Sequence, residues 1–284
     1  MNDPVFDDPR VASLLDLAIR EDEGGGDHTS EATVPASARA RGRFLAKERL
    51  VVCGLPLAER VFARLGTVGV VWHVQDGALV SPGTILGVVE GPARTLLAGE
   101  RLALNFVQHL SGIATLTRAC VERVRGTTLV VRDTRKTVPG LRLLEKYAVR
   151  SGGGTNHRMG LDDAILVKDN HLALGRGDFA AAVLAARAQF PSLPLEVEAR
   201  TLAELDRAVA AGPDLILLDN MTPDELREAV ARVAGRVPLE ASGGVRLDDL
   251  AAVAATGVDF VAMGQLTHSA RAVDVSLKLE PLAG

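Results

Sequence analysis

The sequence predicts an α/β protein whose C-terminal part is an incomplete βα barrel. From residue 129 onward, short apolar runs alternate with helical segments, which is typical of parallel strands covered on both faces. The predicted strands are residues 129–131, 164–167, 195–197, 215–218, 237–239 and 260–263. These are fewer than the eight strands of a complete barrel, so we expect the barrel to be incomplete.

A barrel is favoured over a doubly wound sheet by the residues that follow these strands. Each predicted strand is followed by polar residues or glycine at its C-terminal end, where a βα barrel places its active site. These residues are Arg132, Asp133, Arg135, Lys136, Lys168, Glu198, Asp219, Glu240, Ser242 and Gly264. A doubly wound sheet would carry a glycine fingerprint after its first strand, and no GxGxxG follows residues 129–131.

Helices are predicted between several of these strands, at residues 178–189, 201–211 and 222–233. Thr201 with Glu204 three residues later predicts a capping box, and Pro223 suits a first helical turn.

The first third of the chain predicts a helix-and-sheet unit without regular βα alternation. We expect an amphipathic helix before Gly24, strands at 40–47, 68–74 and 85–89, and a helix beginning at Pro56. A long apolar helix follows Pro92, and Ser111 and Gly112 predict an interruption in it.

Composition excludes several classes of function. The 284 residues carry a net charge of -4 with a pI near 5.9, which disfavours broad nucleic-acid binding. No apolar stretch reaches the ~18 residues of a membrane span, and the acidic N-terminus lacks the features of a secretory signal. Cys53 and Cys120 form no CxxC pair, so neither a disulfide framework nor a zinc site is indicated. We therefore expect a cytoplasmic protein.

Positive charge is concentrated between residues 133 and 171, although the whole chain is acidic. Arg135 and Lys136 follow a predicted strand directly, and both side-chain types bind carboxylates and phosphates. Surface salt bridging explains either residue alone, but less well beside His157, Arg158 and Lys168. These five residues predict an anion site.

Other features of this segment leave alternatives open. A solvated charged face accounts equally for Arg142, Lys146 and Arg150. The glycines at 152–154 fit either a backbone that approaches a ligand or takes positive φ, or an ordinary loop. Of the two histidines, we expect His157 to contact a ligand and His171 to be structural.

The acidic residues Glu198 and Asp219 end successive predicted strands and should face the same opening. Paired carboxylates can perform acid–base chemistry, hold sugar hydroxyls or bind Mg²⁺. Ser242, Gly243 and Gly244, with Gly264 after the last strand, are typical of phosphate-binding loops in βα barrels. A helix N-cap is an equally plausible role for Ser242.

Long motifs in the chain resemble the quinolinate phosphoribosyltransferase family. They are DTRKT-x-PGLRLLEKYAVR-x-GGG-x-NHRMGL, then VKDNH, EVE, LLDNM, LEASGG and MGQLTHSA, and upstream GDHTS, QDGALVSPGTILGVVEG and ERLALNFVQHLSGIAT. The resemblance covers nearly the whole chain. Gln265 departs from it, since a small residue is expected there.

The resemblance implies an N-terminal α/β sandwich domain at residues 1–112, joined by segment 271–284, and an incomplete barrel at 113–270. It implies phosphoribosyl transfer from phosphoribosyl pyrophosphate to quinolinate, with decarboxylation and with Mg²⁺. The implied quinolinate contacts are Arg135, His157, Arg158 and Lys168. Lys136, Glu198 and Asp219 would act on the donor and its metal, and Ser242, Gly243, Gly244 and Gly264 would hold the 5-phosphate. A homodimer is implied, with Arg101 donated to the partner's site.

Two alternatives stay open at this point. A paralogous branch linked to molybdenum transport shares much of the barrel pattern. The segment DGALVSPGTILG also resembles the hairpins of biotinyl and lipoyl carrier domains, although no modifiable lysine occupies the expected turn.

Overall fold

The computed structural model describes residues 3–175 and 177–282. The chain forms two compact units. The first comprises the chain up to Arg118, Val138–Gly153 and the part from Ala270 onward, and the second comprises Ala119–Thr137 and Gly154–Ser269. The domain boundaries at 112 and 270 stay a prediction, and the units place segment 138–153 with the N-terminal part.

The helices and strands have the following bounds. The helices are α1 Pro9–Glu23, α2 His28–Thr33, α3 Leu55–Leu65, α4 Ala93–Arg123, α5 Arg142–Gly152, α6 Asp169–Leu174, α7 Phe179–Gln189, α8 Leu202–Ala211, α9 Pro223–Val233, α10 Leu250–Ala254 and α11 Gln265–His268, with 3-10 turns at Pro4–Asp7 and Leu247–Asp249. The strands are β1 Arg39–Ala46, β2 Leu50–Val51, β3 Gly69–Trp72, β4 Leu79–Val80, β5 Ile85–Pro92, β6 Val130–Arg132, β7 Ile165–Val167, β8 Leu195–Ala199, β9 Leu215–Asp219, β10 Leu239–Ser242, β11 Phe260–Ala262 and β12 Val275–Pro281.

The first unit is built on a four-stranded antiparallel sheet in the order β12-β1-β5-β3. Every second residue of β1 from Ala40 to Ala46 is buried, as expected for a strand with one face on a core. On that face Phe44 packs edge-on against Phe62 of α3, with ring centroids 6.3 Å apart. Because β12 pairs with β1, the C-terminal strand belongs to this sheet.

Helix α4 runs without a break from Ala93 to Arg123, so the predicted interruption at Ser111 and Gly112 is wrong. Both residues serve packing instead. The Ser111 hydroxyl accepts the N–H of Cys53 and donates to its carbonyl. A Cβ on Gly112 would lie 2.1 Å from the carbonyl oxygen of Arg271, so only glycine allows this close approach.

Lys146 is fully buried in α5, which rules out the solvated-face interpretation for this residue. The neighbouring Glu145 is also fully buried. Its carboxylate lies 2.9 Å from Nε2 of His109 and accepts the backbone N–H of Val138. Arg150, by contrast, is exposed and pairs with Asp3. The charge pattern alone could not separate these cases, because burial depends on packing within the first unit.

The turn at Asp76 and Gly77, which lies in the segment that resembles carrier-domain hairpins, has a structural role. The Asp76 carboxylate accepts the backbone N–H groups of Gly54 and Leu55 at the start of α3. It also accepts the hydroxyl of Tyr147. An acid at a helix N-terminus satisfies donors that have no partner within the helix.

The second unit contains a six-stranded parallel sheet in the order β6-β11-β10-β9-β8-β7. Strands β6 and β7 are its edges, and Arg132 at the end of β6 makes an isolated bridge to Thr155. The predicted incomplete βα barrel is therefore confirmed, with its opening between the two edge strands.

Strand β10 begins at Leu239, two residues later than predicted. Pro238 precedes it and has no N–H for a sheet ladder, although its carbonyl accepts from Ile216. This shift places Glu240 inside the strand, where its side chain is fully buried. Glu240 therefore does not belong to the residues that follow the strand.

The predicted helices of the second unit form, and each begins with a side-chain cap. Asp178, Thr201 and Thr222 each accept a backbone N–H from the first turn of the helix that follows. The capping box predicted at Thr201 is only half formed, because Glu204 accepts the N–H of Arg200. The complete box is at Thr222 and Glu225.

Throughout the described part of the chain, no helix has both the length and the apolar character required to cross a bilayer.

Candidate active site

Most of the site residues predicted from the sequence line one cavity of about 520 Å³ at the carboxyl ends of the barrel strands. Its cationic lining residues are Arg135, Lys136, Arg158 and Lys168, with His157 beside them. Its other predicted residues are Glu198, Asp219, Ser242, Gly243 and Gly244. Six strands bring together residues that are more than a hundred positions apart in the chain.

A second cavity of about 470 Å³ shares part of this lining. Lys136, Ser242, Gly243 and Gly244 line both, and Gly264 lines the second together with Gln265. The two cavities therefore adjoin.

Arg101 is exposed on α4 in the first unit and is absent from the described lining of both cavities. Its proposed role depends on a second subunit.

Lys136 is held by the loop after β6 and by α11. Its backbone N–H donates to the hydroxyl of Thr134, and its carbonyl accepts the hydroxyl of Thr267 at 2.8 Å. The aliphatic part of its side chain lies against Gly264, where an added Cβ would be 2.8 Å from Cδ of Lys136. Gly264 therefore provides the space in which this side chain lies.

The loop after β10 depends on glycine conformations. Gly243 and Gly244 have φ of 102° and 62°, which favour glycine strongly. A Cβ on Gly243 would lie 2.3 Å from Oδ1 of Asn220, and the N–H of Asn220 donates to the carbonyl of Ser242. The loops after β9 and β10 are thus packed directly against each other at the edge of the cavity.

Lys168 and Glu198 form an ion pair across the ends of β7 and β8. Nζ of Lys168 lies 3.6 Å from Oε2 of Glu198. Burial raises the pKa of Glu198, Lys168 opposes this, and the nearby Asp219 and Asp169 add to the rise. The pair brings a cation and a carboxylate to one wall of the cavity.

His171 caps α6 through its ring. Its Nδ1 accepts the backbone N–H of Lys168 at 2.9 Å. This contact is structural, as predicted from the sequence.

His157 makes an ion-pair cluster inside the barrel. Its Nε2 lies 2.9 Å from Oε2 of Glu196 and 3.4 Å from Oε1 of Glu240. The other oxygen of Glu240 accepts from Arg132 at 2.8 Å, and the Arg132 guanidinium lies 4.1 Å from the centre of the Phe260 ring.

The protonation of His157 reflects opposing effects. Burial by itself lowers the pKa of His157, but the hydrogen bonds and charges of Glu196 and Glu240 outweigh burial and raise it to about 9. The backbone N–H of Arg158 points at Nδ1 from 2.7 Å, which works against a second ring proton. The charged acceptor Glu196 at 2.9 Å and the nearby charge of Glu240 outweigh one neutral donor at Nδ1, because charge-assisted hydrogen bonds are about twice as strong as neutral ones.

Asp133 fixes the backbone on which His157 lies. Its carboxylate is fully buried, accepts the N–H of His157 at 2.9 Å, and also accepts the side-chain amide of Asn156. Sequence reasoning placed Asp133 and Glu240 only as residues near strand ends and missed Glu196. An acid within an otherwise apolar strand, as in Leu195–Ala199, is the signal that could have indicated an inward-facing polar cluster.

The glycines at 152–154 end helix α5 rather than approach a ligand. Gly152 is the last residue of α5, where an added Cβ would lie 2.6 Å from the carbonyl of Ala114. Gly153 has the predicted positive φ, 95°, and forms the C-cap. None of these three glycines is among the described residues that line either cavity at the strand ends.

The fold and the cavities define a class of protein: an α/β barrel enzyme whose site has the residues suited to anionic groups. The cations suit carboxylate or phosphate, the glycine loops suit phosphate, and the paired acids suit positive charge or a metal.

Comparison with known proteins identifies the family. The chain belongs to the quinolinate phosphoribosyl transferase family, since the model of the N-terminal domain matches residues 27–111 and that of the C-terminal domain matches 113–278. It is 46% identical over 286 residues to nicotinate-nucleotide pyrophosphorylase [carboxylating] of Mycobacterium leprae, covering 98% of this chain and 100% of that protein. The probable nicotinate-nucleotide pyrophosphorylase [carboxylating] of Bacillus subtilis is 40% identical, over 94% of this chain and 93% of its own length.

Solved structures agree with this assignment. NadC from Streptococcus pyogenes matches with a TM-score of 0.93 and 40% identity, covering 100% of this chain and 99% of that one. The nicotinate-nucleotide pyrophosphorylase from Francisella tularensis matches with a TM-score of 0.91 and 36% identity, covering 96% of each chain. The resemblance found in the sequence motifs and the α/β fold class are both confirmed.

Proposed function

We propose that this protein is a nicotinate-nucleotide diphosphorylase (carboxylating), a phosphoribosyltransferase of NAD biosynthesis. It transfers phosphoribose from phosphoribosyl pyrophosphate to quinolinate and releases pyrophosphate, CO₂ and nicotinate mononucleotide. The observation that carries the proposal is that cationic, acidic and glycine residues predicted for this reaction line two adjoining cavities. The family and the names of the relatives support the same substrates.

Quinolinate binding is assigned to the cations of the larger cavity. Arg135, Arg158 and Lys168, with His157, would neutralise the two carboxylates of this planar substrate. Burial and the charge of the neighbouring Arg135 lower the pKa of Arg158, which is the expected effect of cations gathered at one site. Bound quinolinate would relieve this repulsion, so charge neutralisation contributes to binding.

The donor is assigned to the second cavity and to the acids beside it. The backbone N–H groups of the loops at Gly243, Gly244 and Gly264, with the Ser242 hydroxyl, suit the 5-phosphate. Lys136 lines both cavities, which supports its assignment to the pyrophosphate.

Magnesium fits the same wall of the cavity. Glu198 and Asp219 lie at the carboxyl ends of neighbouring strands, and burial raises the pKa of Glu198 with a smaller contribution from Asp219. Two carboxylates provide the oxygen ligands that Mg²⁺ prefers, and these two residues would hold the ion directly or through the donor. When bound, the ion would neutralise negative charge on the pyrophosphate leaving group.

The proposed chemistry relies on positioning and electrostatics, without a covalent enzyme intermediate. The ring nitrogen of quinolinate donates its electron pair to the anomeric carbon, and the bond to pyrophosphate breaks with its electrons. Glu198 and Asp219 stabilise the positive charge that develops on the ribose. The alkylated ring is cationic, so it accepts the electrons of the breaking bond to the 2-carboxylate, and a proton then replaces CO₂.

The proposed active assembly is a homodimer in which Arg101 is donated to the partner's site. Its exposure on α4 supports this role, because an exposed arginine is accessible to a second subunit. The cytoplasmic location stays a prediction that rests on composition.

Incubation with quinolinate, phosphoribosyl pyrophosphate and Mg²⁺ tests the function. We expect nicotinate mononucleotide, pyrophosphate and CO₂ in equal amounts, and no product when nicotinate replaces quinolinate. Neither the molybdenum-transport paralogue nor a carrier module is favoured by the family or by the relatives. Absence of product from folded protein would contradict the proposal.

A further inference from the structure

His157 and Arg158 form a thin wall between the main cavity and a third cavity. This rear cavity, of about 280 Å³, is lined by the first residues of β7, β8 and β9, and so lies toward the amino-terminal ends of the strands. His157 and Arg158 line both cavities. A displacement of either side chain would therefore change the shape of the main cavity.

Carboxylates from the two strands on either side of β9 restrain the His157 ring. Glu196 of β8 and Glu240 of β10 have side chains that are 7% and 0% exposed, and both face Nε2 of His157. From the other side, Asp133 holds the N–H of His157. His157 is therefore held at its backbone N–H by Asp133 and at Nε2 of its ring by the two glutamates.

Arg158 depends on the position of this ring. Its backbone nitrogen lies 2.7 Å from Nδ1 of His157, and its guanidinium donates to the carbonyl of Ala164 at 3.0 Å. A shift of the ring would move the backbone from which the Arg158 side chain reaches the main cavity.

His157, Glu196 and Glu240 also have the donor atoms of a metal site, since their ligand atoms lie within 4.8 Å of one another. Two observations favour a proton over a metal ion. Arg132 already occupies one oxygen of Glu240 at 2.8 Å, and its positive charge would repel a cation. Nε2 of His157 would have to lose its proton to bind a metal, while the N–H of Arg158 points at the only other ring nitrogen.

We propose that Glu196 and Glu240 are positioning residues, which hold His157, and through it Arg158, in the geometry that receives a carboxylate of the substrate. The proposal rests on the proposed function, because it concerns quinolinate binding. It adds two side chains that act from inside the barrel rather than by direct contact with the substrate.

The first test uses the unaltered protein and needs no variant. Nuclear magnetic resonance of protein labelled with ¹⁵N-histidine should show a downfield Nε2 proton on His157 that exchanges slowly with water. Addition of Zn²⁺ or Mn²⁺ should neither displace this proton nor raise the melting temperature. A missing Nε2 proton, or displacement of that proton by metal, would overturn the proposal.

The second test compares Glu196→Gln with Glu228→Gln, an exposed acid on α9 that pairs with Arg232. For Glu196→Gln we expect KM for quinolinate to rise about 10-fold or more, the size of effect that loss of a charged hydrogen bond produces. KM for phosphoribosyl pyrophosphate should change less than about 2-fold, because the glycine loops are not involved. Glu228→Gln should leave both values unchanged.

The outcomes separate this inference from the function on which it rests. If the unaltered enzyme makes no nicotinate mononucleotide, the proposed function fails. If it is active and Glu196→Gln leaves KM for quinolinate unchanged, or raises both KM values equally, the positioning role fails alone. Should Glu196→Gln not fold, the resonance test on the unaltered protein still decides.

Discussion

Nζ of Lys168 lies 3.6 Å from Oε2 of Glu198, so a cation assigned to quinolinate and an acid assigned to the ribose are paired before either substrate binds. The side chain of Lys168 is 45% exposed and that of Glu198 is 9% exposed. Both residues line the main cavity, with the lysine more exposed than the acid. A carboxylate of the substrate would compete with Glu198 for the ammonium group, which links binding of the two substrates.

Loss of Lys168 should remove activity without unfolding the protein. Lys168→Ala, and likewise Arg135→Ala, should lower kcat/KM by at least about 100-fold, because the substrate's carboxylates lose fixed positive charge. Melting temperature should change little for Lys168→Ala, since a partly exposed ion pair adds ~1 kcal/mol or less to stability. Lys278→Ala, at an exposed position of β12, is the control. Retained activity with a large loss of stability would make these residues structural.

Gly264→Ala should weaken binding of the donor by displacing Lys136. The added Cβ would lie 2.8 Å from Cδ of Lys136, and the backbone at Gly264 is not in the left-handed region, so the effect is steric. We expect KM for phosphoribosyl pyrophosphate to rise about 10-fold, with stability reduced by less than about 2 kcal/mol. Gly69→Ala is the matched control, because nothing lies within 4 Å of its Cβ position. Steady-state kinetics that show equal effects in both variants would contradict this account of Gly264.

Stability should decrease between neutral and alkaline pH because of His157. Its pKa is raised from 6.5 to about 9 in the folded protein. A group with a raised folded pKa stabilises fully below its unfolded value and loses that contribution as pH rises through the folded value. The free energy of unfolding should therefore fall by up to about 3 kcal/mol between pH 6.5 and pH 9. Urea unfolding across this range measures it, and Glu196→Gln should flatten the slope. An equally steep fall in the free energy of unfolding of that variant would mean that titratable groups other than His157 cause the pH dependence.

A shared site predicts complementation between two inactive variants. In a mixed dimer of Arg101→Ala and Lys136→Ala, one site would combine an intact Lys136 with the partner's Arg101. Random mixing should restore about a quarter of the activity of the unaltered enzyme, because half of the dimers would each have one intact site. Exchange of subunits has to be verified with differently tagged chains. No recovery after verified exchange would argue against donation of Arg101.

The site residues at the carboxyl ends of the strands could be predicted from the sequence, and the two acids deeper within strands could not. Arg135, Lys168 and Asp219 come at or just after the ends of apolar runs, and parallel strands in a barrel end at one face. Glu196 and Glu240 lie within strands, where the direction of a side chain depends on register and on barrel closure. The apolar residues around each of these two acids were enough to predict a buried strand, so the acids themselves were not singled out.

Tertiary packing accounts for the remaining differences from the predictions. Lys146 carries a charge and was compatible with a solvated face, yet the first unit buries it fully. Gly112 suggested a helix break, but its lack of a side chain serves a close approach to Arg271. Arg101 is exposed, and only a second subunit could complete its proposed role. Local sequence carries no information on such distant neighbours.

Release of the 2-carboxylate of quinolinate as CO₂ is the step that distinguishes the proposed reaction from simple phosphoribosyl transfer. When the purified protein is mixed with phosphoribosyl pyrophosphate, Mg²⁺ and quinolinate that carries ¹⁴C in its 2-carboxylate, we expect labelled CO₂ and unlabelled nicotinate mononucleotide in equal amounts. Neither product should form when the donor is omitted. Folded protein that releases no labelled CO₂, or that releases it without the donor, would contradict the proposed function.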